Sequence, residues 1–115
     1  MKNNTPLALV LAAAAALVAG ACTGGAAVSA DCTQVKTYPD VTAFASCTEC
    51  HSSTVAGAAR QDAPTSIDFD TYAAAVVAAD EASREVQFGS MPPGGGLTDD
   101  EKLQIVNWAE CGTPE

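Results

Sequence analysis

The sequence predicts a single all-α domain. Three stretches repeat apolar residues at helical spacing, no stretch alternates as a strand does, and the last of the three opens with a complete helix-capping signal. The apolar content limits how such a domain is held together. The chain has 115 residues and is 48% hydrophobic, but 24 of those residues are Ala. From residue 31 onward only 18 side chains are Val, Ile, Leu, Met, Phe, Tyr or Trp. A core that thin belongs to the size range where small domains need a staple or a bound group.

Residues 1–21 read as an export signal. Met1–Pro6 carries one positive side chain, Lys2, and Leu7–Val18 is an uncharged run rich in Leu, Ala and Val. That run is too short to span a bilayer and suits the apolar region of a signal peptide. Val18-Ala-Gly-Ala-Cys22 then sets small residues before a Cys, as in a bacterial lipoprotein box, where Cys22 would carry the lipid. Ala19 stands where such a box prefers Leu. Val28-Ser-Ala30 offers an ordinary cleavage site instead. Both readings place the protein outside the cytoplasmic membrane of a bacterium. Residues 22–35 follow as a flexible tether, with Thr23–Ala30 made mainly of Gly, Ala, Ser and Thr. The folded domain is expected over residues 36–115.

The first helix is expected from Thr37 or Pro39 into Cys50, with Val41, Phe44 and Ala45 on its apolar face. Residues 52–67 keep no period and read as a loop. The second helix takes Asp68 or Asp70 as its N-cap and runs to about Val86. Its inner face is Phe69, Tyr72, Val76 and Ala79, and Asp80 is spaced to pair with Arg84. Ser90-Met91-Pro92-Pro93-Gly94-Gly95-Gly96 interrupts the helices, because two prolines fix the backbone and three glycines let it turn sharply. The third helix starts at Thr98. Thr98-Asp-Asp-Glu101 is a capping box, in which the Thr hydroxyl accepts from the N3 amide and Glu101 reaches back. Asp99 and Asp100 complement the helix dipole. Leu103, Val106 and Trp108 or Ala109 point inward, and Gly112 then Pro114 end the helix.

Net charge is −9, and it becomes −10 without Lys2. The remaining basic residues, Lys36, Arg60, Arg84 and Lys102, form no cluster. The positive footprint that nucleic-acid binding needs is missing. An acidic surface serves solubility, steers basic partners, or does both.

Cys47-Thr-Glu-Cys50-His51 is a C-x-x-C-H sequence, the attachment signature of c-type haem. Cys47 and Cys50 are one helical turn apart, so both sulfurs face the same side and can form thioethers with the two haem vinyl groups. His51 follows at once and can swing beneath the iron. Two other uses of the pair compete. A zinc site would need further ligands from Cys32, Cys111 or His51, and no second C-x-x-C or H-x-x-H pair exists. A thioredoxin-like redox pair would need a βαβ surround that this sequence lacks. The second axial ligand follows by elimination. Beyond the leader the chain has one His and one Met, so Met91 is the only thioether, and enough chain separates it from His51 to wrap a haem. The competing reading makes Met91 a packing residue and leaves the sixth position open or water-bound.

The C-x-x-C-H motif, the Met91-Pro-Pro-Gly-Gly segment, and a capped terminal helix ending in Trp108-x-x-Cys111-Gly-x-Pro114 together resemble a small monohaem cytochrome c of the class I type. The resemblance covers roughly residues 36–115. It implies a cytochrome c-like fold, with three main helices and loops wrapped around one covalently bound haem c. It implies single-electron transfer between redox protein partners, not enzyme catalysis, with His51 and Met91 on the iron. Basic docking surfaces on those partners would suit the acidic chain. The resemblance also implies a Pro carbonyl that accepts the His51 Nδ1–H, and Pro64, in the loop that follows, is its candidate. It implies an aromatic contact between the first and last helices, with Phe44 and Trp108 as candidates. Arg60 is either a partner for a haem propionate or a solvated surface charge. The alternative function is a haem protein with a labile sixth position, peroxidase-like or gas-binding. A third is a structural or metal-binding exported lipoprotein. A monomer is expected, touching a membrane only through lipid on Cys22.

Cys32 and Cys111 depart from the basic cytochrome pattern. With Cys47 and Cys50 on haem and Cys22 lipidated or removed, these two remain. In an oxidising compartment a disulfide between them would tie the incoming segment to the terminal helix. Two free thiols are the other reading. The thin core then has an explanation, since the haem would be the largest apolar object inside. A Cys47→Ala, Cys50→Ala chain is expected to lose most of its cooperative unfolding transition in calorimetry, not only its colour. An unchanged transition would mean that side chains alone make the core.

Overall fold

The computed structural model describes residues 27–115. These contain four α-helices and three short 3-10 turns, and no strand, as an all-α chain requires. Among the described residues no helix is long and apolar enough to cross a membrane. The expected leader at residues 1–21 and the lipid acceptor Cys22 lie outside the described residues.

The domain starts earlier than the expected boundary at residue 36. Asp31 caps a 3-10 turn at Cys32–Gln34, its carboxylate accepting from Thr33 N at 2.9 Å and Thr33 Oγ1 at 2.6 Å. The Asp31 N–H donates to Asn107 Oδ1 at 2.7 Å, and Cys32 is disulfide-bonded to Cys111, with their Cα atoms 5.4 Å apart. The last residues of the expected 22–35 tether are therefore fixed to the terminal helix.

The first expected helix is broken. Tyr38–Asp40 form a 3-10 turn, Val41 is non-helical (φ −77, ψ 79), and α1 spans only Phe44–Thr48. Tyr38 N donates to Pro114 O at 2.9 Å, so a tertiary bond holds the segment that local spacing would have continued as helix. The later start rotates the buried face. Val41, Ala43 and Phe44 are inside and Ala45 is exposed.

The second expected helix is capped later and divides in two. Thr71 is the N-cap, its Oγ1 accepting from Ala74 N at 3.3 Å, and α2 (Tyr72–Val77) gives way to α3 (Ala79–Phe88) at Ala78. The break turns Ala75, Ala78, Ala79, Ala82 and Val86 inward and leaves Val76 37% and Val77 81% exposed. Val76, expected inside, is thus outside, because the face follows the broken axis and not one continuous helix. Arg84 pairs with Glu81 and Glu85 instead of Asp80, since both glutamates reach the guanidinium from nearer positions.

Helix α4 (Asp99–Glu110) has the expected capping box. Thr98 N donates to Glu101 Oε2 at 2.8 Å, and Glu101 N donates to Thr98 Oγ1 at 3.2 Å. Ile105, Val106 and Trp108 are fully buried, whereas Leu103 is only half-buried. Gly112, at φ 93, ends the helix in a backbone conformation that favours glycine. Helix α3 packs along α4, and the small alanine side chains of α3 allow a close approach. Phe44 meets Trp108 edge to face at 5.2 Å and 88°, and it stacks on Phe69 at 5.4 Å. Trp108 Nε1 donates to Pro114 O and Tyr72 Oη to Thr113 O, both at 2.9 Å, so the C-terminal segment is strapped over the core.

The disulfide closes a loop with a sequence separation of 79 residues. A Cys32→Ser, Cys111→Ser variant is expected to lose up to about 4 kcal/mol in denaturant unfolding on the chain-entropy scale. No loss would mean that noncovalent contacts already hold the two ends as well as the bridge does.

Candidate functional site

Helix α1 delivers the motif. It ends at Thr48, and the chain stays wound just past it, with Cys50 N and His51 N donating to Cys47 O at 3.2 and 2.8 Å. Cys47, Cys50 and His51 are thereby presented within one tight turn. Both thiols are free and half-buried. Burial pushes the Cys47 thiol up to about 11. Among the described residues no three His, Cys, Asp or Glu side chains gather as ligands of one metal ion, and Cys32 and Cys111 are bonded to each other.

His51 Nδ1 lies 2.9 Å from Ile67 O. A carbonyl can only accept, so Nδ1 is the donor in this bond, and in the neutral imidazole Nε2 is then the nitrogen with the lone pair. The expected acceptor was Pro64, and the structure corrects it to Ile67. Pro64 O instead accepts from Arg60 Nη2 at 2.6 Å and from Ile67 N at 3.2 Å. Pro64 opens a turn, and the chain reaches the imidazole only at Ile67. Phe69 holds the other side of His51. Its N–H donates to His51 O at 2.9 Å, and its ring meets the imidazole edge-on at 5.8 Å.

Arg60 is not a solvated charge. It is 5% exposed, and its donors go to the protein. Nε donates to Ala63 O at 3.1 Å, Nη1 to Ser52 O at 2.7 Å, and Nη2 to Pro64 O and to Asp68 Oδ1 at 2.8 Å. The loop also contains a 3-10 turn at Gly57–Arg60 that the sequence pattern did not signal. Asp70 ties the chain after His51 to the start of α2. Its Oδ2 accepts from Ser53 Oγ at 2.5 Å and Ser53 N at 3.1 Å.

Met91 arrives from the far end of α3. Gly89, at φ 74, caps that helix, and Ser90 N and Met91 N donate to Glu85 O at 3.1 and 3.3 Å. Cys47, Cys50, His51 and Met91 all line one cavity of about 740 Å³, with Ile67, Phe69 and Val86 among its apolar walls. That volume is in the range of ligand sites that enclose most of a small molecule. Pro64 and Arg60 also reach its edge, whereas Cys32 and Cys111 do not border it. Comparison with protein-family models, curated proteins and solved structures finds no match for this chain.

Sequence reasoning missed Ile67 because a backbone acceptor has no side-chain signature. Arg60 did leave a signal, as the single basic residue between Lys36 and Arg84 apart from His51.

The hydrogen bond from the Ser53 hydroxyl holds the Asp70 carboxyl below its usual 3.8, with burial opposing that pull. A carboxylate lowered in the folded state stabilises the fold above its unfolded value and loses that contribution as pH falls through the folded value. Asp70→Asn is therefore expected to lower the thermal midpoint most above about pH 4, and the gap to wild type should close as the carboxylate protonates. A gap that does not change with pH would assign the effect to packing.

Proposed function

We propose that this protein is a small electron carrier of the cytochrome c type, holding one haem c through Cys47 and Cys50 with His51 and Met91 as axial ligands. One observation carries the reading. These four side chains, from two stretches far apart in the sequence, border the same largely apolar cavity. The donor set fits the group: two unpaired thiols one turn apart, an imidazole with a free Nε2, and a soft thioether. A bound haem would supply a one-electron iron couple. The chain's own residues do the rest. Ile67 orients His51 and strengthens it as a donor. Phe69 and Val86 exclude water, and the Glu85 carbonyl holds the Met91 segment against α3. With both axial donors supplied by protein, no position is left for a substrate, which favours a carrier over an enzyme.

Export is part of the proposal, through lipid on Cys22 or cleavage after Ala30. The Cys32–Cys111 disulfide supports it, because such bridges persist in oxidising compartments. The −9 charge suits redox partners with basic docking faces. One observation favours the second reading, a haem with a labile sixth position. Met91 leads into a turn with three positive-φ glycines, Gly94, Gly95 and Gly96, a backbone that could let its sulfur leave the iron.

Optical spectroscopy of the mature protein, produced with haem-attachment machinery, tests the proposal. A low-spin spectrum with an iron–thioether band that vanishes in Met91→Ala is expected. Ready binding of carbon monoxide or cyanide by the unaltered protein would favour the labile reading. A chain that takes up no haem would overturn both.

A further inference from the structure

Arg60 has no part in the chemistry proposed above, yet it is a buried cation with an unusual set of partners. Burying a guanidinium is costly unless every donor is met, and this one also has a carboxylate. Asp68 faces it at 2.8 Å, the two side chains being 7% and 13% exposed. Apart from Ala63 O at 3.1 Å and Val55 O at a long 3.4 Å, the partners fall into two groups. Ser52 O belongs to the residue directly after His51. Pro64 O and Asp68 Oδ1 lie on either side of Ile67, whose carbonyl accepts the His51 Nδ1–H. Nη2 also approaches Ile67 O itself, at a long 3.4 Å. One planar fork therefore clamps the segment bearing the imidazole to the segment bearing its acceptor. Phe69 N on His51 O and Ser53 on Asp70 tie the same two stretches one or two residues further on, and Arg60 is the side chain that joins Ser52 itself to Pro64 and Asp68.

We infer that Arg60 is a positioning residue for His51: by clamping Ser52 to the Pro64–Asp68 turn, it sets the His51 Nδ1–Ile67 O bond and hence the donor strength of Nε2. The inference rests on the haem reading. A short Nδ1–H bond increases imidazole basicity and favours the oxidised, more electron-poor iron. Loosening the clamp weakens the donor and favours the reduced state.

Replacing Arg60 alone would strand the Asp68 carboxylate and change the local charge. The test is therefore Arg60→Gln, Asp68→Asn in the haem-loaded protein, which leaves net charge unaltered. The His51 Nδ1–H is expected to exchange with solvent about tenfold faster by NMR. The ratio of reduced to oxidised protein at a fixed applied potential should rise by up to about tenfold, or about 59 mV for one electron. Arg60→Lys keeps the charge opposite Asp68 but lacks the fork, so it should fall between wild type and the double variant in both readouts. If both variants lower the unfolding midpoint but match wild type in exchange and in redox ratio, Arg60 only stabilises the loop and the inference is overturned. A wild-type chain that takes up no haem overturns the haem reading and this inference together.

Discussion

The packing of Phe44 is the contact on which the rest of the molecule depends. Its ring meets Trp108 edge-on at 5.2 Å and stacks on Phe69 at 5.4 Å, and Phe69 in turn meets His51 at 5.8 Å. Phe44 is also the first residue of α1, the helix that ends by presenting the C-x-x-C-H motif. The same side chain therefore sets where the motif stands on the core and what backs its imidazole. Aromatic pairs in these geometries contribute beyond the area they bury, and they limit rotation of the elements that carry them. A chain with few large side chains concentrates them at this junction.

Elsewhere the fold relies on small residues and on polar ties. The alanines of α2 and α3 bury little area each, but they let α3 lie close along α4. The ends of the domain are held by the Cys32–Cys111 bridge, by Asp31 on Asn107, and by Trp108 and Tyr72 bonding to the C-terminal carbonyls. The loop after His51 contains almost no apolar core. It is shaped by Arg60, Asp68, Asp70 and Ser53 through hydrogen bonds that are strengthened by charge. Arg60, Ala63, Pro64 and Ile67 of that loop line the cavity, so the loop that lacks a core also shapes the candidate site.

The features legible in the sequence are those whose signal is local. The C-x-x-C-H motif needs only one helical turn to present its side chains together. The Thr98–Glu101 capping box forms within a single turn, and the Gly112 stop acts on its own backbone. The pairing of Cys32 with Cys111 was readable too, once the other cysteines had been given their roles. Met91 stood out because it had no competitor among the thioethers, and the fold brings it to the cavity that the motif borders.

Tertiary structure decided what local pattern could not. The break at Ala78 and the late start of α1 come from fitting short helices around one aromatic junction, which a continuous apolar period does not encode. The acceptor for His51 is a backbone carbonyl, so any residue could stand there, and only the path of the Pro64–Asp68 turn brings Ile67 into reach. Arg60 was visible as a lone cation, but its burial depends on the carbonyls of Ser52, Ala63 and Pro64 and the Asp68 carboxylate converging on one fork. The residue types by themselves name the chemistry that Cys47, Cys50, His51 and Met91 can do. Their convergence on one cavity, and the hydrogen bonds that orient them, follow from long-range packing, because neither is a property of neighbours in sequence.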